Sequence, residues 1–286
     1  MNKDNLSNAI EAAFAADRYA LGAHWIYDGK ELGALTINWN ELNAPQAKAN
    51  WHKTKQCGDS THYGDHGGWL LEFVNSQGKF SIAGYRDFWV EKMSSFEGYI
   101  DASTKETLEI IANDPEAVTG SNSDELSIIG RIAPLLLVSS SADVFLNNVQ
   151  SFVGLTHNSS KVRSAAALFA TILMKTLDGE SIEDTLESID INLILKDAFI
   201  AGRQSKGQDS FRTIRKFGPA CGIEGAFEGV IHILSSYDNY KDAIIANVKA
   251  GGDSASRGMV IGMIMGAAGK EIPDAWAPNL ISAATQ

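Results

Sequence analysis

Apolar residues recur at spacings of three and four along most of this chain, which places them on one face of an α-helix. The first such stripe contains Leu6, Ile10, Ala13, Phe14 and Leu21. Further helical patterns cover residues 68–75, 85–99, 104–113, 125–139, 142–157, 160–177, 181–196, 222–236, 238–250 and 254–268. Strand and helix patterns do not alternate, which disfavours a parallel sheet. The sequence therefore predicts an all-α fold, in which residues 1–286 form a single compact multi-helix domain.

Charge and composition narrow the classes of partner. The 286 residues include 24 basic and 35 acidic side chains, a balance that disfavours nucleic acid because its binding draws on clustered Lys and Arg. The charge-free run between Arg257 and Lys270 is too short to span a bilayer. The N-terminus lacks the apolar segment of a signal peptide, and two cysteines are too few for a disulfide framework. We expect a cytoplasmic protein with neither a nucleic-acid nor a membrane partner.

The helical pattern is interrupted between residues 25 and 68. This segment holds three of the six tryptophans and three of the six histidines. Residues 36–40 alternate weakly, which indicates at most a minor strand. Long irregular segments in compact domains are often functional, so we expect part of the site here.

Two later segments carry glycines at near-helical spacing. The first contains Gly218, Gly222, Gly225 and Gly229, and the second contains Gly258, Gly262, Gly266 and Gly269. Glycine costs about 1 kcal/mol against Ala inside a helix, so repeated glycines indicate a close approach of helix backbones. The second segment has no charge between its glycines, and we expect it to be buried on nearly all sides.

Asp17 lies on the apolar face of the first predicted helix. A buried carboxylate needs a partner, because its desolvation costs several kcal/mol. We consider Arg18, an Arg of another helix or a cation as that partner. Asp17 is then either half of a structural ion pair or a group that orients a site.

A second polar segment, residues 251–257, immediately precedes the uncharged helix. Asp253 or Ser254 suits the N-cap position, since its side chain can accept from the first free amides. The free amides of a buried helix start also attract anions. We therefore predict that Gly251, Gly252 and Ser254 bind a phosphate, and that Asp253 and Ser256 offer oxygen atoms to a cation.

A third polar cluster occupies residues 57–68, where Cys57, His62 and His66 have the chemistry of zinc ligands. No paired-cysteine motif accompanies them. The alternative is another glycine-rich helix start, capped by Asp65.

Five elements together resemble a known family. They are residues 16–22 (Ala-Asp-Arg-Tyr-Ala-Leu-Gly), 131–135 (Arg-Ile-Ala-Pro-Leu), 156–157 (Thr-His), 251–256 (Gly-Gly-Asp-Ser-Ala-Ser) and 272–276 (Ile-Pro-Asp-Ala-Trp). In kind and in order they resemble the motifs of the ADP-ribosylglycohydrolase family. Residues 23–28 (Ala-His-Trp-Ile-Tyr-Asp) are similar to its J-crystallin branch. The resemblance implies an all-α fold around a cleft, and hydrolysis of an N- or O-glycosidic bond to ADP-ribose with the help of two Mg²⁺ ions.

The family's metal ligands come from a Thr-Asp-Asp-Thr helix start and an Asp-x-Asp-Thr element. The resemblance places the first on residues 64–67, with Asp65 and His66, and the second on residues 253–256, with Asp253 and Ser256. Two carboxylates remain where the family has four, too few to offset the repulsion between two Mg²⁺ ions. This implies one divalent cation (Mg²⁺, Mn²⁺ or Zn²⁺) or none. A bound cation would be held by these four residues, with the two carboxylates within about 8 Å of each other.

Two functional hypotheses follow. The first is a hydrolase with an altered metal site that cleaves an ADP-ribosyl or related nucleotide-sugar compound. Its general acid and base are unassigned, although Asp59 and His62 have suitable chemistry. The second is a catalytically inactive, crystallin-like structural or ligand-binding protein of the same fold.

Overall fold

The computed structural model describes residues 3–46 and 51–276, and the predicted features at residues 1–2, 47–50 and 277–286 lie outside this range. The α-helices are α1 (Lys3–Ala20), α2 (Gly29–Gly33), α3 (His62–Gln77), α4 (Ile82–Ser94), α5 (Ala102–Asn113), α6 (Ala142–Thr156), α7 (Ser160–Leu177), α8 (Ile182–Ser188), α9 (Lys196–Gln204), α10 (Ser210–Phe217), α11 (Ile223–Ser236), α12 (Tyr240–Lys249) and α13 (Ser254–Ala267). Short 3-10 helices lie between some of them. Extended pairing in the described ranges is limited to isolated bridges, so residues 36–40 form no strand there. The all-α prediction is confirmed.

Helix α13 forms the centre of the fold and packs most extensively against α1. Every residue of α13 is buried. A Cβ atom on Gly262 would lie 2.4 Å from the carbonyl oxygen of Ala12, and one on Gly266 would lie 2.6 Å from that of Asn8. These contacts confirm that the second glycine segment allows two helix backbones to meet.

The first glycine segment has a different role. Gly218 ends α10, and Gly225 adopts a φ of 84° at a kink near the start of α11. A Cβ atom on Gly225 would lie 2.5 Å from the carbonyl oxygen of Phe217. Gly225 thus allows a close backbone approach at this turn, whereas Gly229 lies inside α11, where a Cβ atom would lie 3.2 Å from the Arg257 side chain. The glycines of this segment therefore do not form one continuous contact between two helix backbones.

Two predicted helices are broken. Residues 125–139 form two 3-10 helices, Leu126–Arg131 and Ala133–Val138, because Pro134 lacks the N–H group that a continuous α-helix would use. Residues 181–196 divide into α8 and a 3-10 turn that leads into α9. Both segments are rich in buried apolar residues, and periodicity alone does not distinguish the two helix types.

The described helices enclose one continuous hydrophobic core. Trp276, the last described residue, is fully buried against Tyr19, with ring centroids 3.9 Å apart. In the described ranges, no helix has the length and apolarity needed to cross a membrane.

Candidate active site

Asp17 fixes the start of helix α3. Its carboxylate is fully buried and accepts hydrogen bonds from the Thr61 amide at 2.8 Å and from the Thr61 hydroxyl at 2.5 Å. Thr61 is the N-cap of α3, and its hydroxyl oxygen accepts from the amide of Tyr63 at 3.1 Å. Thr61, rather than an arginine or a cation, is therefore the hydrogen-bonding partner of Asp17.

Helix α3 begins at His62, several residues before the start expected near residue 68. Asp65 thus lies within the helix rather than capping it, and its carboxylate pairs with the Lys55 ammonium at 2.7 Å. The next side chain, His66, is buried and stacks on Trp69 with ring centroids 4.6 Å apart. Two of the four predicted metal ligands therefore have a lysine and an indole as neighbours.

Asp253 is the N-cap of α13 and is fully buried. One carboxylate oxygen lies 3.3 Å from the Tyr63 hydroxyl, and the other lies 3.6 Å from His24 Nδ1 and 3.4 Å from the Ser256 amide. The Ser256 hydroxyl donates to the backbone oxygen of Asp253 at 3.3 Å. Asp253 and Ser256 thus form a cap, while the carboxylate of Asp65 is paired with Lys55.

The amides predicted to bind phosphate already have acceptors. Those of Gly251 and Gly252 donate to Val248 at 3.0 Å and Ile26 at 2.8 Å, and that of Ser254 donates to the Gly252 carbonyl at 2.9 Å. The hydroxyl of Ser254 is buried without a partner. The predicted phosphate site would have to form without free amides from these three residues.

The residues of this region do not fit a metal ion. Within residues 3–46 and 51–276, no group of three or more His, Cys, Asp or Glu side chains is arranged to hold one. Cys57, part of the zinc alternative, is exposed, and its thiol donates to the Leu42 carbonyl at 3.2 Å. A reaction catalysed by this chain without a metal ion would therefore use side chains other than these predicted ligands.

Three side chains, those of His52, His62 and Asp101, contact one another in sequence. His62 Nδ1 lies 3.0 Å from His52 Nε2, and His62 Nε2 lies 3.4 Å from Asp101 Oδ2. All three side chains are buried. Burial alone would raise the pKa of Asp101, but the hydrogen bond and charge of His62 hold that pKa well below its usual range. Asp101 is therefore an ionised carboxylate.

Aromatic rings surround the two histidines. Trp25 and Tyr99 lie 5.5 Å and 6.0 Å from His52 by ring centroid, and the half-exposed Trp51 lies 6.4 Å from Trp25. Trp25 has a φ of 61°, the left-handed region that side chains rarely adopt, and its amide donates to Gly252 at 2.9 Å. Such strain persists only where the surrounding contacts enforce it, and it is common at functional sites.

Glu125 interacts electrostatically with Asp101 and contacts His157. Burial, followed by the charge of Asp101, raises the pKa of Glu125 to about 7. Glu125 Oε2 lies 3.9 Å from His157 Nε2, and neither atom has a hydrogen-bond partner among the described residues. His157 Nδ1 bonds to the Thr156 hydroxyl at 2.8 Å. Glu125 is thus a carboxyl group poised to exchange a proton near neutral pH.

The sequence offered no reason to include Asp101, Glu125, Tyr99 or His52 in the site. Asp101 lies three residues before a predicted helix, Tyr99 and Glu125 lie at the ends of two others, and His52 lies in the irregular segment. Only the folded chain brings His52, Tyr99 and Asp101 together around His62.

Comparison with known proteins identifies the family. The sequence profile described as ADP-ribosylglycohydrolase matches residues 9–283. The chain belongs to the ADP-ribosylglycohydrolase family. Crystallin J1A and crystallin J1B of Tripedalia cystophora are each 20% identical over 283 residues, covering 91% of this chain and 86% of theirs. A solved structure titled ADP-ribosylglycohydrolase-related protein complex matches with a TM-score of 0.72 and 18% identity, covering 98% of this chain and 94% of that one.

Helix α3 starts at residues 61–64, Thr-His-Tyr-Gly, immediately before the predicted ligands Asp65 and His66. The Tyr63 hydroxyl lies 3.3 Å from Asp253 Oδ2, so this helix start faces the N-cap of α13.

Proposed function

We propose that this protein is a cytoplasmic hydrolase that cleaves a glycosidic bond of an ADP-ribosyl or related nucleotide-sugar compound without a metal ion. Membership of the ADP-ribosylglycohydrolase family supports the reaction class. The misfit between the described residues and a cation supports the metal-free form.

One observation carries the proposal: a group of titratable side chains lies around the start of α3 and the N-cap of α13, with Glu125 joined to it by electrostatic interaction. The group consists of His24, His52, His62, Tyr63, Asp101, Glu125 and Asp253. Burying polar groups costs free energy unless each finds a partner, yet both ring nitrogens of His24 and one oxygen of Glu125 have no hydrogen-bond partner among the described residues. A purely structural scaffold gains nothing from this arrangement.

The carboxyl groups of Glu125 and Asp101 have different roles in the proposed reaction. Glu125, with a pKa of about 7, is protonated often enough at neutral pH to give its proton to the leaving group. Asp101 stays ionised and stabilises the positive charge that develops on the ribose ring. Two carboxyl groups with pKa values pushed apart are the usual arrangement for an acid and a charge stabiliser. The rings of Trp25, Trp51 and Tyr99 provide a surface on which a nucleotide base can stack.

The alternative is a catalytically inactive, crystallin-like protein of the same fold. The resemblance leaves two carboxylates, Asp65 and Asp253, where the family has four, and this loss favours the alternative. Similarity to two crystallins favours it as well. In that case the cleft binds a ligand or has only a structural role.

The deciding experiment is turnover of N- and O-linked ADP-ribosyl compounds with EDTA present, with released ADP-ribose measured by chromatography. We expect release by the wild-type protein and a loss of about 10²-fold or more in Glu125→Gln. Stabilisation by ADP-ribose without turnover would favour a ligand-binding protein. Neither turnover nor stabilisation would favour the structural alternative.

A further inference from the structure

A cleft with a volume of about 700 Å³ lies between α1 and α3. Phe14 and Arg18, one turn apart near the end of α1, contribute one wall. Gly64 and Gly68, one turn apart in α3, belong to the opposite wall. Pockets for small molecules usually have volumes of about 300–1,000 Å³, so this cleft is large enough to hold one.

The α1–α3 cleft is separate from the candidate active site. Its lining residues Gly64, Gly68 and Leu71 are spaced by four and three, so they share one face of α3. His62 and Tyr63, which belong to the candidate active site, lie on a different face of the same helix by this periodicity. A molecule bound in the cleft is therefore not a substrate of the proposed hydrolysis.

Arg18 is the polar side chain of this cleft that the fold does not explain. It is only 3% exposed, yet neither Nε nor Nη2 has a hydrogen-bond partner among the described residues. A guanidinium is a permanent cation that can only donate hydrogen bonds. Leaving buried donors of a charged group without acceptors costs free energy, and native structures seldom retain such groups without a reason.

Asp17, the neighbour of Arg18 in the sequence, does not supply the acceptor. Its Oδ2 atom accepts from the Thr61 amide, and its Oδ1 atom accepts from the Thr61 hydroxyl. Asp17 acts on Arg18 through its charge, which opposes the effect of burial on the pKa of Arg18. The charge of Arg18 is therefore partly balanced within the protein, while its donors are not satisfied there.

The free donors of Arg18 select the charged group of a ligand. Nε and Nη2 lie on the same edge of the planar guanidinium, and their two N–H groups match the two oxygens of a carboxylate. Asp65 and Glu72 also line the cleft and are paired with Lys55 and Lys92, each at 2.7 Å. These carboxylates disfavour a doubly charged anion such as phosphate, so a single carboxylate suits the site best.

The remaining walls select the body of that ligand. Phe14 is nearly buried, and Trp69 and Leu71 are partly buried residues that pack against the core. A Cβ atom on Gly68 would have nothing within 4 Å, so the helix leaves open space at this position. Aromatic and aliphatic walls with few polar groups favour an apolar ligand body.

We propose that the α1–α3 cleft binds a small apolar or aromatic carboxylic acid in its ionised form, and that Arg18 holds its carboxylate. The ligand supplies the acceptors that Arg18 lacks among residues 3–46 and 51–276. Phe14, Trp69 and Leu71 contact its apolar body, and Gly68 leaves room for it. This site goes beyond the proposed hydrolysis and does not depend on it.

The test is isothermal titration calorimetry with 3-phenylpropionate and with its neutral analogue, 3-phenylpropionamide. The wild type should bind the carboxylate at least about tenfold more tightly than the amide, because only the carboxylate accepts two charge-assisted hydrogen bonds. Arg18→Met keeps an apolar side chain of similar length without the donors, and it should bind both compounds equally weakly. Arg212→Met, at an exposed arginine of α10, is the matched control and should bind as the wild type does.

A second variant tests the cleft without changing Arg18. Gly68→Leu fills the open space and should abolish binding of both compounds, whereas Gly33→Leu, at another glycine with nothing near its Cβ position, should leave binding unchanged. Equal affinity of the wild type for acid and amide would overturn the proposal. Undiminished binding in Gly68→Leu or in a folded Arg18→Met protein would also overturn it. Tighter binding of inorganic phosphate than of 3-phenylpropionate would refute the carboxylate as the ligand group.

Discussion

The carboxylate of Asp17 accepts hydrogen bonds from both the amide and the hydroxyl of Thr61, and these two bonds join α1 to the N-terminus of α3. The sequence predicts a buried partner for Asp17 but does not identify Thr61. This pairing decides where α3 begins, and the start of α3 decides which side chains face Asp253.

Asp17 should make stability depend on pH. Burial raises the pKa of Asp17 from 3.8 to about 6, although the hydrogen bonds of Thr61 oppose the rise. The folded state therefore binds this proton more tightly, and the resulting stabilisation is complete below pH 3.8 and is lost as the pH rises through about 6. Between about pH 4.5 and 7, the wild type should lose roughly 2 kcal/mol of unfolding free energy relative to Asp17→Asn. Urea unfolding at the two pH values measures this difference.

The control is Asp28→Asn, at an exposed cap whose pKa is lowered by hydrogen bonds from Glu31 and Lys30. The wild type should show no such loss relative to this variant. If the difference in unfolding free energy between the wild type and Asp17→Asn is the same at both pH values, the prediction is contradicted.

The contact between α1 and α13 should not tolerate a methyl group. Gly262→Ala places a Cβ atom 2.4 Å from the carbonyl oxygen of Ala12. We expect a loss of about 1–3 kcal/mol, the usual cost of overpacking. Gly68→Ala is the matched control, since it lies inside α3 with nothing within 4 Å of its Cβ position. That change should stabilise by about 0.5–1 kcal/mol. Chemical denaturation of both variants gives the comparison, and equal effects would refute the packing argument.

Divalent cations should not stabilise the protein. Asp65 is paired with Lys55, and Asp253 contacts Tyr63, His24 and Ser256. Thermal melts with Mg²⁺, Mn²⁺ or Zn²⁺ should match those with EDTA. A cation bound at a hundredfold excess over its Kd would add about 2.7 kcal/mol, so a rise in Tm would be evident and would restore the metal hypothesis.

Asp253 should behave as a helix cap when its variants are compared in thermal melts. Asn caps nearly as well as Asp, so Asp253→Asn should have a mild effect, whereas Asp253→Ala should cost about 1 kcal/mol. Equal losses in the two variants would show that the carboxylate charge, rather than the cap, stabilises the fold.

Glu125 should govern the upper limb of the pH–rate profile. As the general acid it acts only when protonated, and its pKa is about 7. kcat/KM should therefore fall tenfold per pH unit well above pH 7. Glu125→Gln should remove this limb together with most of the activity. A wild-type rate that is flat from about pH 6 to 9 would assign the acid to another group.

Much of the fold follows from the sequence alone. The spacing of apolar residues determined the all-α class, because helix periodicity depends only on local geometry. Repeated glycines in an uncharged stretch likewise determined that α13 is buried against another backbone. The polar residues before α13 indicated an N-cap at Asp253 or Ser254, and the structure selects Asp253. Each of these inferences needs only neighbours along the chain.

Tertiary structure alone decided the composition of the site. The cap at Thr61 depends on Asp17 of another helix, so the sequence placed the start of α3 too late. The chain of Asp101, His62 and His52 joins an irregular segment and two helix starts. Hydrogen-bond partners and burial arise between distant segments, and they set the pKa values on which the chemistry depends. The periodicity of apolar residues carries no information about hydrogen-bond partners in distant segments or about the pKa values that they set.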